Sequence, residues 1–288
     1  MSTYSKIIAG CMSWGAWGKQ FSTQQMIAQI NLTLEAGITT FDHADIYGEY
    51  TTENEFGNAF FKSGIERERI QLISKCGIQN DGGTRDNGIK HYNYSKEYIL
   101  WSVEKTLKDL KTEYLDLLLL HRPSPLMHPN EIAAAVYELK ESGKIVDFGV
   151  SNFSPSQLSL IDNKTVVSVN QIEFSLTEHM AMQNGILDYL LEKEITPMSW
   201  SPLGSFFKQD SQENKRIKKT VNTFTEKYNA TEDQLLLAWI LKHPSGVIPV
   251  VGTTKKVRLE NAVKALEIEL ELEDWFTLLV ECQGHKVP

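Results

Sequence analysis

Eight short apolar runs, each linked to the next by longer amphipathic stretches, predict an α/β chain folded as a (β/α)8 TIM barrel. Two further observations favour the closed barrel over an open doubly wound sheet. The runs are rich in Val, Ile, Leu and Phe without strict alternation, which is how strands covered on both faces read. After the first run the chain continues CMSWGAWGK and lacks the GxGxxG turn of a dinucleotide crevice. The length of 288 residues suits one large domain, and no low-complexity linker divides it. Residues 1–288 are therefore expected to form a single barrel domain, with extra C-terminal helices and a long loop after the third strand.

The elements follow in order. KIIAG (6–10) opens the barrel. Residues 23–36 place Met26, Ile30 and Leu34 on one helical face and end at Gly37, before the second strand, ITTFD (38–42). IQLISK (70–75) is the third strand. The next helix, 95–110, starts on Ser95 as a cap and repeats Ile99, Val103 and Leu107 at every fourth residue. LDLLLL (115–120) is the fourth strand, and Asn130 is expected to cap the helix EIAAAVYELKESG, which stops at Gly143. IVDFGV (145–150) precedes the helical SNFSPSQLSLI, and VVSVNQ (166–171) precedes GILDYLLEKE. ITPMSW (195–200) and GVIPVV (246–251) are the last two strands, with ATEDQLLLAWILKHP between them and KKVRLENAVKAL after them. The least regular stretches, 77–94 and 202–214, both follow strands, where a barrel of this kind carries its chemistry.

Bulk composition excludes several classes. The net charge of −8 disfavours a nucleic-acid or anionic-membrane partner, and no apolar run approaches the length of a membrane span. The N-terminus lacks the basic-then-apolar pattern of a secretion signal. Cys11, Cys76 and Cys282 are an odd number, far apart and without CxxC, which fits reduced thiols and a cytoplasmic location.

The ends of the strands carry hydrogen-bonding or titratable groups one after another. Asp42 ends the second strand, with Tyr47 in the loop behind it, and Lys75 ends the third. His121 and Arg122 follow the fourth, and Ser151 and Asn152 the fifth. Asn170, Gln171 and Glu173 mark the sixth, Trp200 and Ser201 the seventh, and Thr253, Lys255 and Arg258 follow the eighth. Reducing a carbonyl needs a hydride at carbon and a proton at oxygen. A free tyrosine titrates near pKa ~10, so a lysine cation beside it would favour tyrosinate and make it a better donor. Asp42, His43, Asp45 and His121 also admit a second reading, as ligands of a metal-dependent hydrolase. No second pair of histidines stands at another strand end, and His43 and Asp45 read better as loop residues beneath the following helix.

FDHADIYG resembles the signature D-x-A-x-x-Y-G of the aldo-keto reductase family. Lys75 in SKCGI, His121 in LLLLHRP, SNF at 151–153, NQIEFS at 170–175 and SWSPLG at 199–204 come in the order that family shows, over about residues 5 to 280. The likeness is greatest to its bacterial oxidoreductase subgroup, with DHADIYG, SKCGI and HRPxPLM in these places. The resemblance implies Tyr47 as general acid, Lys75 and Asp42 as the groups that tune it, and His121 as the group that orients the substrate. It implies an NADPH-dependent reductase of a small aldehyde or ketone, monomeric, with no resident metal.

The same resemblance assigns the cofactor. Gly10, Cys11 and Asp42 would lie beside it. Ser151, Asn152 and Gln171 would bond the carboxamide, and Trp200 would stack on the nicotinamide. Ser201, Leu203 and Gly204 would follow the pyrophosphate, and Thr253, Thr254, Lys255 and Arg258 would hold the 2′-phosphate at a helix start. Two features depart from the family. Only one glycine, Gly204, precedes Ser205 and Phe206, where relatives often carry a run of them. The Glu and Asn common after the phosphate-binding Arg are replaced by Asn261 and Ala262, which puts the adenine contacts in question. Trp14, Trp17, Tyr92 and Tyr94 are candidates for an aromatic substrate mouth. A protein of this fold that binds NADPH as a sensor, with little turnover, is the alternative from outside catalysis.

Overall fold

Strand formation follows the apolar runs. The computed structural model describes residues 4–82 and 85–288. Its parallel strands close into a barrel in the order β1 (Ile8–Gly10), β10 (Ile248–Val251), β9 (Thr196–Trp200), β8 (Val169–Glu173), β7 (Ile145–Ser151), β6 (Leu115–Leu120), β3 (Gln71–Cys76), β2 (Thr40–Asp42). The predicted fold class is thus the observed one, and several strands start two or three residues later than the apolar runs do. β4 (Ile78–Gln79) and β5 (His91–Tyr92) pair antiparallel within the long segment after β3.

The helices are α1 (Thr23–Glu35), the single turn α2 (Tyr47–Tyr50), α3 (Thr52–Ser63), α4 (Lys96–Leu110), α5 (Pro129–Glu141), α6 (Pro155–Asp162), α7 (Ile186–Glu192), α8 (Gln212–Tyr228), α9 (Glu232–Leu241), α10 (Lys256–Lys264) and α11 (Leu272–Gln283). Side-chain caps set many of their starts. Ser22 with Gln25, Ser154 with Gln157 and Thr231 with Gln234 form reciprocal capping boxes, and Ser95 accepts from the amide of Tyr98 as predicted. Asn130 is not a cap. His128 holds that position and Pro129 is the first helical residue, because its fixed φ is already helical and its missing N–H would be unpaired there anyway. α3 and α8 are elements the sequence reading did not single out. α8 buries Ile217, Val221 and Phe224 at helical spacing and is capped by Ser211, so the irregular stretch after β9 is shorter than expected.

The chain divides into two compact units, Met1–Gln171 and Ile172–Pro288. In the first, α3 packs on α4, and the rings of Phe41, Phe56 and Trp14 form a cluster with centroids 5.4–6.1 Å apart. In the second, Trp239 of α9 and Trp275 of α11 stack at 4.8 Å. Each indole N–H donates to the other's backbone carbonyl. Among the described residues, no helix is long and apolar enough to cross a membrane. Cys11, Cys76 and Cys282 are free and buried.

The first unit also buries two acids. Glu53 of α3 accepts from Ser74 Oγ at 2.5 Å and Thr106 Oγ1 at 3.0 Å, and Asp45 accepts from Ser102 and Tyr98 at 3.3 and 3.4 Å. Burial pushes Glu53 up from 4.5 to about 7, and Asp45 from 3.8 to about 7 against the pull of Arg85. The folded chain therefore holds more protons than the unfolded one between those values. Their contribution to stability is complete below pH about 4 and is lost as pH rises through 7. The urea midpoint of unfolding is expected to fall between pH 5 and pH 8. Glu53→Gln with Asp45→Asn should flatten that slope, and an unchanged slope in the double variant would show that other groups set it.

Candidate active site

The pleat of β3 divides its side chains between two faces. Ser74 points to the helix layer and meets Glu53, so Lys75 next to it points to the opposite face. Parallel pairing sets Gly10 opposite Asp42 and Asp42 opposite Ile73. From there the Lys75 ammonium reaches both carboxylate oxygens of Asp42 at 2.8 Å, the carbonyl of His43 at 2.8 Å and the hydroxyl of Tyr47 at 3.2 Å. The His121 ring lies 6.1 Å from the Tyr47 ring, steeply inclined to it. All four predicted side chains thus come together, and all four are buried. The amide of Gln171 donates to Asp42 Oδ1 at 2.9 Å, which makes it a fifth member of the group. Gln171 was picked out from the sequence for the carboxamide; its bond to Asp42 had no sequence signal, since 129 residues separate the two.

Tyr47 is presented by an unusual turn. Gly48, Glu49 and Tyr50 have φ of 60°, 56° and 68°, all in the left-handed region. Such a backbone costs a non-glycine residue roughly 1–2 kcal/mol, so neighbouring contacts must hold it. Gly48 has a second reason to lack a side chain: a Cβ there would stand 2.4 Å from Thr52 Oγ1. Glu49 accepts from the indole N–H of Trp17 at 2.9 Å, and the Trp17 ring lies 6.1 Å from that of Tyr47.

The charges differ in one respect from the sequence expectation. Burial raises the Tyr47 phenol above 10, and the lowering by Lys75 offsets only part of that. The phenol is therefore protonated at neutral pH. Lys75 is opposed by burial, but Asp42 and Tyr47 more than compensate, and its ammonium is held above the usual lysine value. Burial first, then Lys75, Arg122 and Lys90, keep the His121 imidazole neutral well below its ordinary value. Its buried Nδ1 has no protein partner. His43 is fully buried against Phe56, ring centroids 4.4 Å apart, and burial lowers it to about 3. Asp45 turns instead to Ser102, Tyr98 and Arg85. Among the described residues, no group of three His, Cys, Asp or Glu side chains is arranged to hold a metal ion.

Of the aromatic candidates, Trp17 and Tyr92 are exposed, whereas Trp14 and Tyr94 are not available to a substrate. Trp14 belongs to the Phe41–Phe56 cluster. The Tyr94 hydroxyl bonds the carbonyl and amide of Arg122. Alternation of aromatic and polar residues in sequence gave no means of telling these pairs apart. Cys11 is fully buried beside Asp42, whose backbone carbonyl accepts its amide. Ser151 is buried and accepts from Asn152 Nδ2 at 2.7 Å. Asn152 has φ of 61°, and its amide donates to the Gln171 carbonyl. Asn170 is a brace rather than a ligand: its amide group bonds both the N–H and the carbonyl of Phe153.

The remaining candidates lie in the second unit. Trp200 ends β9 part-exposed, and Ser201 follows with φ of 50°. Leu203 and Gly204 belong to a tight turn. A Cβ on Gly204 would meet Thr177 Oγ1 at 2.0 Å, so this glycine is required for the turn to close. Ser205 donates its amide to Thr177 Oγ1, and buried Asn214 ties the carbonyls of Ser205 and Gln209. Thr253, Thr254 and Lys255 lead into α10, whose first turn has no acidic residue and includes Lys256 and Arg258. A basic helix start opposes the macrodipole and matches an anion. Asn261 donates to Thr231 at the start of α9, and Ala262 is buried.

The profile of the Aldo/keto reductase family matches residues 6–279. The chain is 40% identical over 291 residues to the uncharacterized oxidoreductase YcsN of Bacillus subtilis, covering 99% of this chain and 96% of that protein. It is 37% identical over 265 residues to 6-dehydroglucose reductase of Agrobacterium fabrum, covering 90% and 88%. A crystal structure of a thermostable aldo-keto reductase in complex with the inhibitor epalrestat superposes with a TM-score of 0.82 at 25% identity, over 96% of this chain and 95% of that one. The chain belongs to the aldo/keto reductase family, and it is an oxidoreductase of that kind.

Proposed function

We propose that the protein reduces the carbonyl of a small aldehyde or ketone to an alcohol with NADPH, and that Tyr47 donates the proton. The observation that carries this reading is the 3.2 Å contact between the Tyr47 hydroxyl and the Lys75 ammonium, with Asp42 closing the pair on the far side. A phenol that stays protonated at neutral pH is a donor in waiting. When its proton leaves for the developing alkoxide, the phenolate left behind faces a fixed cation, so the charge is stabilised without rearrangement. Neutral His121 hydrogen-bonds the substrate oxygen and turns it toward Tyr47. Asp42, held also by Gln171, keeps Lys75 from swinging away.

NADPH, when bound, supplies the hydride. The residues present fit it: Ser151, Asn152 and Gln171 provide hydroxyl and amide groups in the first unit. In the second, Trp200 offers a flat ring, Ser201, Leu203 and Gly204 a tight backbone turn, and Lys255 and Arg258 cations at a helix start. Gly10 and Cys11 border Asp42, Gly10 in the strand register and Cys11 through its backbone amide.

Oxidation of NADPH, followed by absorbance with a panel of aldehydes and ketones that includes 6-dehydroglucose, tests the reading. Turnover of at least one carbonyl is expected. Quenching or enhancement of NADPH fluorescence without oxidation across the panel would favour a sensor instead. Arg258→Ala should weaken NADPH much more than NADH, because a guanidinium matches the 2′-phosphate that only NADPH carries. Equal losses for both cofactors would remove Arg258 from that role.

A further inference from the structure

Arg85 touches none of the side chains that act on the substrate, yet it grips the turn that presents Tyr47 from both sides. Before Tyr47, its Nη2 lies 3.9 Å from Oδ2 of Asp45. After it, the guanidinium carbon stands 3.9 Å from the centroid of the Tyr50 ring. The guanidinium is itself anchored: Nη1 donates to Gln79 Oε1 of β4 at 2.7 Å and to the Tyr98 hydroxyl of α4 at 2.9 Å. The Trp101 ring lies 5.0 Å from it. Tyr50 is further tied by its hydroxyl, which accepts from the amide of Asn80 and donates to the carbonyl of Ile78.

The turn between these two grips is the one that needs holding. Glu49 and Tyr50 sit in left-handed backbone that their side chains disfavour; the Thr51 hydroxyl donates to the Gly48 carbonyl at 2.7 Å, but no side-chain cap holds the start of α2 at Ile46. The apolar cluster around it, Ala44, Ile46, Tyr47, Tyr50 and Ile78, supplies burial without direction. A cation stacked on the Tyr50 ring supplies direction, and its charge attracts Asp45 across 3.9 Å without a hydrogen bond; both contacts depend on where the turn stands. We propose that Arg85 is a positioning residue for the reaction: it clamps Asp45 and Tyr50 so that the left-handed turn holds the Tyr47 hydroxyl against Lys75. The inference rests on the reading of Tyr47 as proton donor.

The test compares Arg85→Ala, Arg85→Lys and Tyr50→Leu with the wild type on a carbonyl that the wild type reduces, alongside Tyr47→Phe. A misplacement of about 1 Å at a reacting group costs roughly 10²-fold. Arg85→Ala is therefore expected to lower kcat about 10- to 100-fold, with KM and the NADPH dissociation constant within about twofold of wild type. Methylguanidinium added to Arg85→Ala should restore part of kcat, whereas Arg85→Lys should stay low, since an ammonium has no planar face to lay on the ring. Tyr50→Leu should show a similar loss, and the double variant should lose no more than either single one, because both remove the same contact. Should Arg85→Ala not fold, Tyr50→Leu and Arg85→Lys still decide the matter. A kcat within about twofold of wild type overturns the proposal. So do losses that multiply in the double variant, or a loss in which KM and NADPH affinity worsen with kcat and no guanidine rescues it. If Tyr47→Phe itself retains reduction, the donor reading has failed. If only Tyr47→Phe loses it, the clamp alone is wrong.

Discussion

Tyr47→Phe is expected to bind NADPH as the wild type does and to lose carbonyl reduction by about 10²–10⁴-fold in kcat, the range that a positioned general acid contributes. The phenyl ring keeps the packing against Trp17 and His121 and removes only the oxygen that stands 3.2 Å from Lys75. Fluorescence titration with NADPH and steady-state rates separate the two effects. The wild-type rate should also vary little between pH 8 and pH 9, above the range in which Asp45 titrates. The phenol titrates above that window and the His121 imidazole below it, so neither changes charge within it. A Phe variant that reduces carbonyls at close to the normal rate would remove Tyr47 from the proton step.

Lys75→Met should be costly in two separable ways. The Lys75 side chain is about 1% exposed, and the Asp42 carboxylate it pairs with about 4%. Removing the ammonium leaves that carboxylate buried without a cation, which destabilises by about 3–5 kcal/mol. It also removes the group that would stabilise the Tyr47 phenolate, so reduction should fall at least as far as in Tyr47→Phe. Adding Asp42→Asn takes away the uncompensated charge while keeping an acceptor for Gln171. The double variant should regain most of the stability and none of the activity. Urea denaturation and NADPH oxidation read the two quantities. If the single variant were as stable as the wild type, the pair would not be bearing on the fold. If the double variant recovered turnover, Lys75 would not be needed by the acid.

The two sets of consequences arise from one geometric fact. Asp42 and Tyr47 are close in sequence, but Lys75, His121 and Gln171 reach them only because neighbouring parallel strands end at the same level. Arg85 reaches the same place by another route, through the segment between β4 and β5, and stabilises the turn rather than the chemistry.

The amino-acid sequence by itself determined the class of fold and four of the side chains that gather, Asp42, Tyr47, Lys75 and His121. Apolar runs without alternation can be buried only between two layers, and Ser, Thr, Gly and Pro at fixed offsets mark helix ends by local hydrogen bonding and φ, so the strands and most helices were legible, though the start of α5 and the helices α3 and α8 were not. Polar groups stand at nearly every strand end, so Asp42, Lys75 and His121, with Tyr47 in the loop, were set apart by the family motifs that carry them. What only the tertiary structure decided is everything that depends on long-range burial. Trp14 and Trp17 read alike in sequence, yet one is core and the other stands by Tyr47. Asp45 and Glu53 became near-neutral acids because the fold removed their water. The direction of the Tyr47 shift was decided the same way. Lysine beside phenol predicts a lowered value in solution, but desolvation grows with every atom packed around the ring, and no local pattern of residues records how many there will be.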